Sequence, residues 1–196
     1  MRIGKEEALF SISLKQKSPH RSLLKLIQFN DQTVLAIDET QVDSLVKTVC
    51  DLECLYGDEI YLNFVTKDQI IQLHTDHFND PTPTDCITFP LDGPQIRKNT
   101  PNFDLDSQNS NDPPQPVKEA APHIVGESFV CPQVALEVCP QNPYEELTLY
   151  IVHTLLHLAG YNDLQEQDIQ QMRAAEKRIL AHLNEKNLVL SQPMVL

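Results

Sequence analysis

His153 and His157 stand four residues apart in the run His153-Thr154-Leu155-Leu156-His157-Leu158-Ala159-Gly160-Tyr161-Asn162-Asp163. On a helix that spacing puts both imidazoles on one face, with Cβ atoms about 5–6 Å apart, close enough to share one metal ion. Gly160 falls where a helix can end in a left-handed residue, a conformation that side chains with a Cβ resist. The reversal would carry Asp163 back towards the histidines. Two imidazoles and one carboxylate, with a coordination position left over, form a catalytic rather than a structural zinc pattern. The chemistry this predicts is metal-assisted hydrolysis.

Each residue also has a plainer explanation. Val152, Leu155, Leu156 and Leu158 make the segment apolar on most sides, where a lone histidine is more often a hydrogen-bonded core residue. Asp163 alone reads as a turn residue or as the N-cap of the next helix. The histidine pair, the glycine and the acid at fixed offsets together favour His153, His157 and Asp163 as ligands to one divalent ion, zinc first. A carboxylate is a harder ligand than imidazole and loosens that preference towards manganese or magnesium. Thr84, Asp85 and Glu127 are weak signals by themselves, explained equally by a turn and a solvent-facing strand. His20, His123 and His182 are expected to be solvated, and His74 and His77 fit a surface helix.

The elements that must position this site follow from local pattern. Pro143-Tyr144-Glu145-Glu146 opens the helix that carries the histidines: proline suits a first turn and the acidic pair suits the positive dipole end. A last helix runs from about Leu164 to Leu183, with Ile169, Met172, Ala175, Ile179 and Leu183 on one face. Residues 39–55 form an earlier helix through Val42, Leu45, Val46 and Val49, ended by Gly57-Asp58. Glu59–Thr66 is rich in β-formers and reads as a core strand, and Thr66 can cap a helix through Ile70, Ile71 and Leu73. Asn79–Pro83 is a loop, because two prolines two apart fit neither helix nor central strand. Cys86–Phe89 is a short strand stopped by Pro90, and Ile124–Cys131 is another. Residues 8–14 read as a strand and Leu188–Leu196 as a loosely held tail. Residues 92–122 are rich in Pro, Asn, Asp, Ser and Gln, bury too little to offset their ordering entropy, and are expected to be a mobile insertion within one domain spanning 1–196.

Bulk properties narrow the class. A chain of 196 residues fits one domain with a real core. No apolar run suits a membrane span and the first residues lack the apolar stretch of a signal peptide, so a cytoplasmic protein is expected. The cysteines, Cys50, Cys54, Cys86, Cys131 and Cys139, form no C-x-x-C pair and read as reduced thiols. The formal net charge of −13 argues against tight, non-specific binding to free nucleic acid, though not against RNA as a substrate.

Three separate signatures, in order along the chain, resemble one family. Thr84-Asp85-Cys86-Ile87-Thr88-Phe89-Pro90 resembles the T-D-V-L-S-F-P of the YbeY endoribonucleases. Gly126-Glu127-Ser128 stands where that family has G-D-I or similar. His153 to Tyr161 resembles its H-G-x-L-H-L-x-G-Y. The match runs from about Ile60 to Met172. The resemblance implies a single α+β domain, with a small mixed sheet packed against helices and the metal site on a central, zincin-like helix. It also implies hydrolysis of single-stranded RNA, maturation of small-subunit ribosomal RNA and association with the small ribosomal subunit. No organic cofactor and no membrane partner are implied. Thr84, Asp85 and Gly126 become candidates for lining the catalytic cleft, with no general base assigned among them. Two positions depart from the family: Asp163 replaces a third histidine, and Phe78 stands where an arginine suited to phosphate is common.

The leading expectation is therefore a metal-dependent endoribonuclease. A non-catalytic ribosome-assembly factor, with metal only stapling the fold, is the alternative favoured by the acidic charge and the missing arginine. A metalloprotease matches the spacing H-E-x-x-H-x-x-G-x-x-[HD], but that pattern needs glutamate directly after the first histidine, and this chain has Thr154.

Overall fold

The computed structural model describes residues 24–92 and 121–193. The expected strand at residues 8–14 and nearly all of the expected insertion at 92–122 lie outside them. The described residues form one α+β domain in the order β1 (Lys25–Asn30), α1 (Glu39–Glu53), β2 (Glu59–Phe64), α2 (Lys67–Phe78), β3 (Cys86–Pro90), β4 (Ile124–Val130), α3 (Pro132–Val138), α4 (Pro143–Leu158) and α5 (Glu166–Glu185). The strands make one mixed sheet in the order β1-β2-β4-β3. β1, β2 and β4 run parallel, and β3 pairs antiparallel with β4 through Cys86↔Val130 and Thr88↔Ser128. Pro90 is the last residue of β3 rather than the residue after it. β3 is an edge strand, where a residue without an N–H donor costs no ladder bond on its open side.

Local chemistry explains the helix limits. The Asp38 carboxylate accepts from the N–H groups of Thr40 and Gln41 at 2.9 and 3.2 Å and starts α1. Thr66 and Gln69 cap α2 reciprocally, as side-chain oxygen to N–H in both directions. Asn79, with φ 56°, closes α2 in the left-handed conformation, its N–H donating to the Thr75 carbonyl.

The helices sit on both sides of the sheet. Val42, Leu45 and Val49 of α1, Ile151, Leu155 and Leu156 of α4 and Met172, Ile179 and Leu183 of α5 share one core with Ile60, Leu62 and Phe64 of β2. Ile70 of α2 packs with Ile87 and Cys131 in a smaller cluster, against Phe89 and Phe129. α4 thus lies at the centre, contacting α1, α3, α5, β3 and β4.

Three expectations need correction. β1 and α3 have no counterpart in the sequence reading; β1 exists because β2 pairs with it, and α3 because it packs on α4. The chain after Leu188 is not loose where it is described. Leu190 is buried and donates its N–H to Thr148 Oγ1 at 3.0 Å, and the Ser191 N–H donates to Gln41 Oε1 at 3.0 Å. His123 is not solvated: both ring nitrogens are buried without a hydrogen-bond partner.

Candidate metal centre

α4 is apolar nearly all round because it is enclosed nearly all round. Leu147, Ile151, Val152, Leu155, Leu156 and Leu158 are buried on it. His153 and His157 occupy the strip that opens to solvent, with side chains 23% and 24% exposed. The helix ends as the glycine predicted. Gly160 has φ +96°, its N–H donates to the His157 carbonyl at 3.0 Å, and the Tyr161 N–H reaches back to the Leu156 carbonyl at 3.0 Å. That pair of bonds is a Schellman closure, and Tyr161 completes it by packing on the core. The turn delivers Asp163 to the histidine face. Asp163 does not cap the next helix, whose N-cap is Gln165.

The three ligand atoms converge. His153 Nε2 and His157 Nε2 are 3.0 Å apart, and Asp163 Oδ2 lies 3.7 and 3.8 Å from them. Atoms bound about 2.0–2.1 Å from one tetrahedral zinc ion stand about 3.3 Å from each other, so the separations suit a shared ion. Proton accounting gives the same answer independently. His157 Nδ1 is 3.0 Å from the Tyr161 carbonyl oxygen, which can only accept, so Nδ1 carries the proton. His153 Nδ1 is 2.7 Å from Glu176 Oε1, a carboxylate oxygen, and is likewise the donor. In the neutral rings both Nε2 atoms are then lone pairs, pointed at each other and at a carboxylate. Three electron-rich atoms so placed repel unless a cation lies among them. Burial, and then His153 beside it, hold His157 below the ordinary histidine range and so in the neutral, metal-binding form.

Glu176 is the residue of the candidate site that the sequence reading missed. It sits on α5, 23 positions from His153, beside the buried face of Met172, Ala175 and Ile179. No spacing rule joins two helices across a fold, so the only signal was an acid next to an apolar face. A second support acts on the turn. The Tyr161 hydroxyl donates to Glu53 Oε2 at 3.0 Å, and Arg178 Nη2 donates to Glu53 Oε1 at 2.6 Å. Glu53 and Arg178 therefore pin the residue whose carbonyl orients His157.

A cleft of about 390 Å³ opens over the histidines. Thr84 and Asp85 line it, as does Phe78 at the end of α2. Asp85 Oδ1 accepts from the Cys86 N–H at 2.8 Å and from Thr84 Oγ1 at 3.1 Å. Gly126 is not among the lining residues. It is buried where β4 passes under α4, and a Cβ there would lie 2.4 Å from Leu158 Cδ2 and 2.7 Å from the Phe89 carbonyl oxygen. Its role in the fold is to let α4 approach the sheet. Glu127 accepts from Asn63 Nδ2 at 3.0 Å rather than facing solvent alone. Burial first, then Asp85, hold the Cys86 thiol well above its ordinary range, so it offers no thiolate nucleophile. A groove of equal volume between α1 and β1 lacks the chemistry: among the described residues, His153, His157 and Asp163 form the one group able to hold a metal ion.

Comparison with known proteins agrees with this geometry. Residues 27–184 match the family described as Endoribonuclease YbeY. The Endoribonuclease YbeY of Protochlamydia amoebophila (strain UWE25) is 41% identical over 164 residues, covering 82% of this chain and 94% of that protein. That of Chlamydia pneumoniae is 32% identical over 174 residues, covering 86% and 96%. The fold is similar to the solution structure of TM1509 from Thermotoga maritima, with a TM-score of 0.50 at 17% identity, over 88% of this chain and all of that one.

Proposed function

This chain belongs to the YbeY endoribonuclease family, and from that premise we propose that it is a metal-dependent endoribonuclease specific for single-stranded RNA. Its place is in the maturation of small-subunit ribosomal RNA, in the cytoplasm, with the small ribosomal subunit as its partner. Among the described residues no helix is long and apolar enough to cross a membrane. The observation that carries the reading is the convergence of His153 Nε2, His157 Nε2 and Asp163 Oδ2, with both Nδ1 protons committed elsewhere. Two imidazoles and one carboxylate suit zinc and leave one position of a tetrahedral ion for water or substrate.

His153, His157 and Asp163 would hold a divalent ion there, which would supply Lewis acidity towards a phosphoryl oxygen and a water made acidic near neutral pH. The chain's own residues do the rest. Glu176 and the Tyr161 carbonyl lock the two rings so that both Nε2 atoms point inward. Thr84 and Asp85 form the β3 side of the cleft. No lysine or arginine lines it among the described residues, so the side chains there add no positive charge to phosphate. That feature also favours the second reading, an assembly factor whose metal only staples the fold. The protease reading lacks its base. Thr154 is fully buried with its hydroxyl donating to the Ile151 carbonyl at 2.9 Å, so no group at that position can serve as general base.

The test is cleavage of single-stranded ribosomal RNA by purified protein, wild type beside His157→Ala, each with its metal content measured. Metal and cleavage lost together establish the metalloribonuclease. Metal in the wild type without cleavage, on free RNA and on small subunits alike, moves the protein to the assembly-factor reading.

A further inference from the structure

Phe78 is 57% exposed, although it lines the same cleft as His153, His157 and Asp163. An exposed phenyl ring at the mouth of a polar site loses apolar burial for no structural return. Nor is the ring placed loosely. It is the last residue of α2, fixed by the left-handed Asn79 that closes the helix. Its centroid lies 5.4 Å from the His74 ring, tilted by 51°. His74 is itself anchored, its Nδ1 lying 2.9 Å from the Thr82 carbonyl oxygen. His74 also lines the cleft, so two neighbouring rings present themselves beside the metal ligands.

The electrostatics of the cleft single out what such a ring can bind. With Asp85 and Asp163 on its walls, the described cleft offers a polyanion's phosphates no lysine or arginine side chain. An aromatic face binds a nucleobase without charge, because every base has a π-face. We propose that Phe78, buttressed by His74, is a base-stacking platform that holds one unpaired nucleotide of single-stranded RNA beside the metal centre. The inference rests on the ribonuclease reading and deepens it: the cleft's own side chains grip the substrate by a base. Selection against duplex follows, since a paired base is already stacked on its neighbours and closed to the ring.

The chain contains no tryptophan, so Phe78→Trp creates a single fluorescent reporter at the platform. The metal-loaded variant is titrated with a non-cleavable 2′-O-methyl single-stranded oligonucleotide, with oligomers carrying an abasic site at each position in turn, and with the duplex. Anisotropy of a labelled oligomer reports binding separately. The expected result is quenching by the single strand, its loss at one abasic position, and none by duplex. In cleavage assays Phe78→Ala and Phe78→Leu raise KM about ten- to a hundredfold with kcat little changed, while Phe78→Tyr restores it. Binding seen by anisotropy with unmoved tryptophan emission overturns the proposal, as does a Phe78→Leu enzyme equal to wild type. Loss of small-subunit binding with unchanged RNA kinetics overturns it in favour of a protein contact. If the wild type neither binds nor cuts single-stranded RNA, the ribonuclease reading fails and takes this one with it; normal wild-type cleavage beside indifferent Phe78 variants sinks this inference alone.

Discussion

At the scale of single residues, the site depends on where two protons are. His153 and His157 can offer Nε2 to a metal ion because each Nδ1–H has an acceptor, Glu176 on one side and the Tyr161 carbonyl on the other. Glu176 can be tested without disturbing the ligands themselves. Glu176→Gln keeps the volume but removes the charge that orients His153 and raises its basicity. Metal affinity, measured by competition with a chromophoric chelator, should fall about 10–100-fold, with the far-ultraviolet circular dichroism unchanged. Unaltered affinity would show that the negative charge of Glu176 is not what tunes His153, since the glutamine oxygen can still accept from Nδ1–H. Because this side chain comes from another helix, it also marks the limit of local reading. The histidines, the glycine and the aspartate declare themselves by spacing within one segment; their partner does not.

At the scale of elements, the Schellman turn after α4 joins fold to chemistry. Gly160 at φ +96° has open space where a Cβ would go, so Gly160→Ala meets no clash and its cost is backbone strain alone. That strain is about 1–2 kcal/mol, read as a lowered midpoint in denaturant. The same turn carries both Asp163 and the carbonyl that orients His157, so metal affinity should fall as well. A stability loss with unchanged metal affinity would separate the turn from the site. Elements with a strong local pattern were legible: α1 from its apolar spacing, α2 from its Thr66 cap, α4 with Pro143 in its first turn, although α1 ends at Glu53 with a left-handed Cys54 and not at Gly57. Those held only by distant partners were not. β1 has no clean alternation and forms because β2 offers it a ladder. α3 has seven residues and no side-chain cap, and its burial comes from α4. Leu190 reads as part of a loosely held tail, yet the hydroxyl that takes its N–H, Thr148 Oγ1, is 42 residues away.

At the scale of the whole molecule, two properties follow from burial and charge. Cys50 lies in the main core, and burial, then Asp51, push its thiol from 9.0 to about 12. The folded state therefore keeps this proton where the unfolded chain releases it. The stabilisation is complete below pH 9 and is lost as pH rises towards 12, up to about 4 kcal/mol in total. Denaturant midpoints should drop over that range in the wild type and drop less in Cys50→Ala; parallel slopes would remove Cys50 as the cause.

The second property is the net charge of −13. A protein that grips RNA with lysine and arginine releases counterions, and its affinity falls steeply with salt. Here the long-range field repels the substrate, and the cleft has no described cation to reverse it. Salt screens that repulsion over a Debye length of about 10 Å at 0.1 M. Affinity of the metal-loaded protein for a non-cleavable single strand should therefore stay level or rise between about 20 and 150 mM salt, the opposite of ordinary nucleic-acid binding. Stacking and ligation to one ion survive such screening because neither depends on distant charges. A steep fall in affinity over that range would instead require a basic surface in contact with the RNA, and would place the main grip away from the cleft.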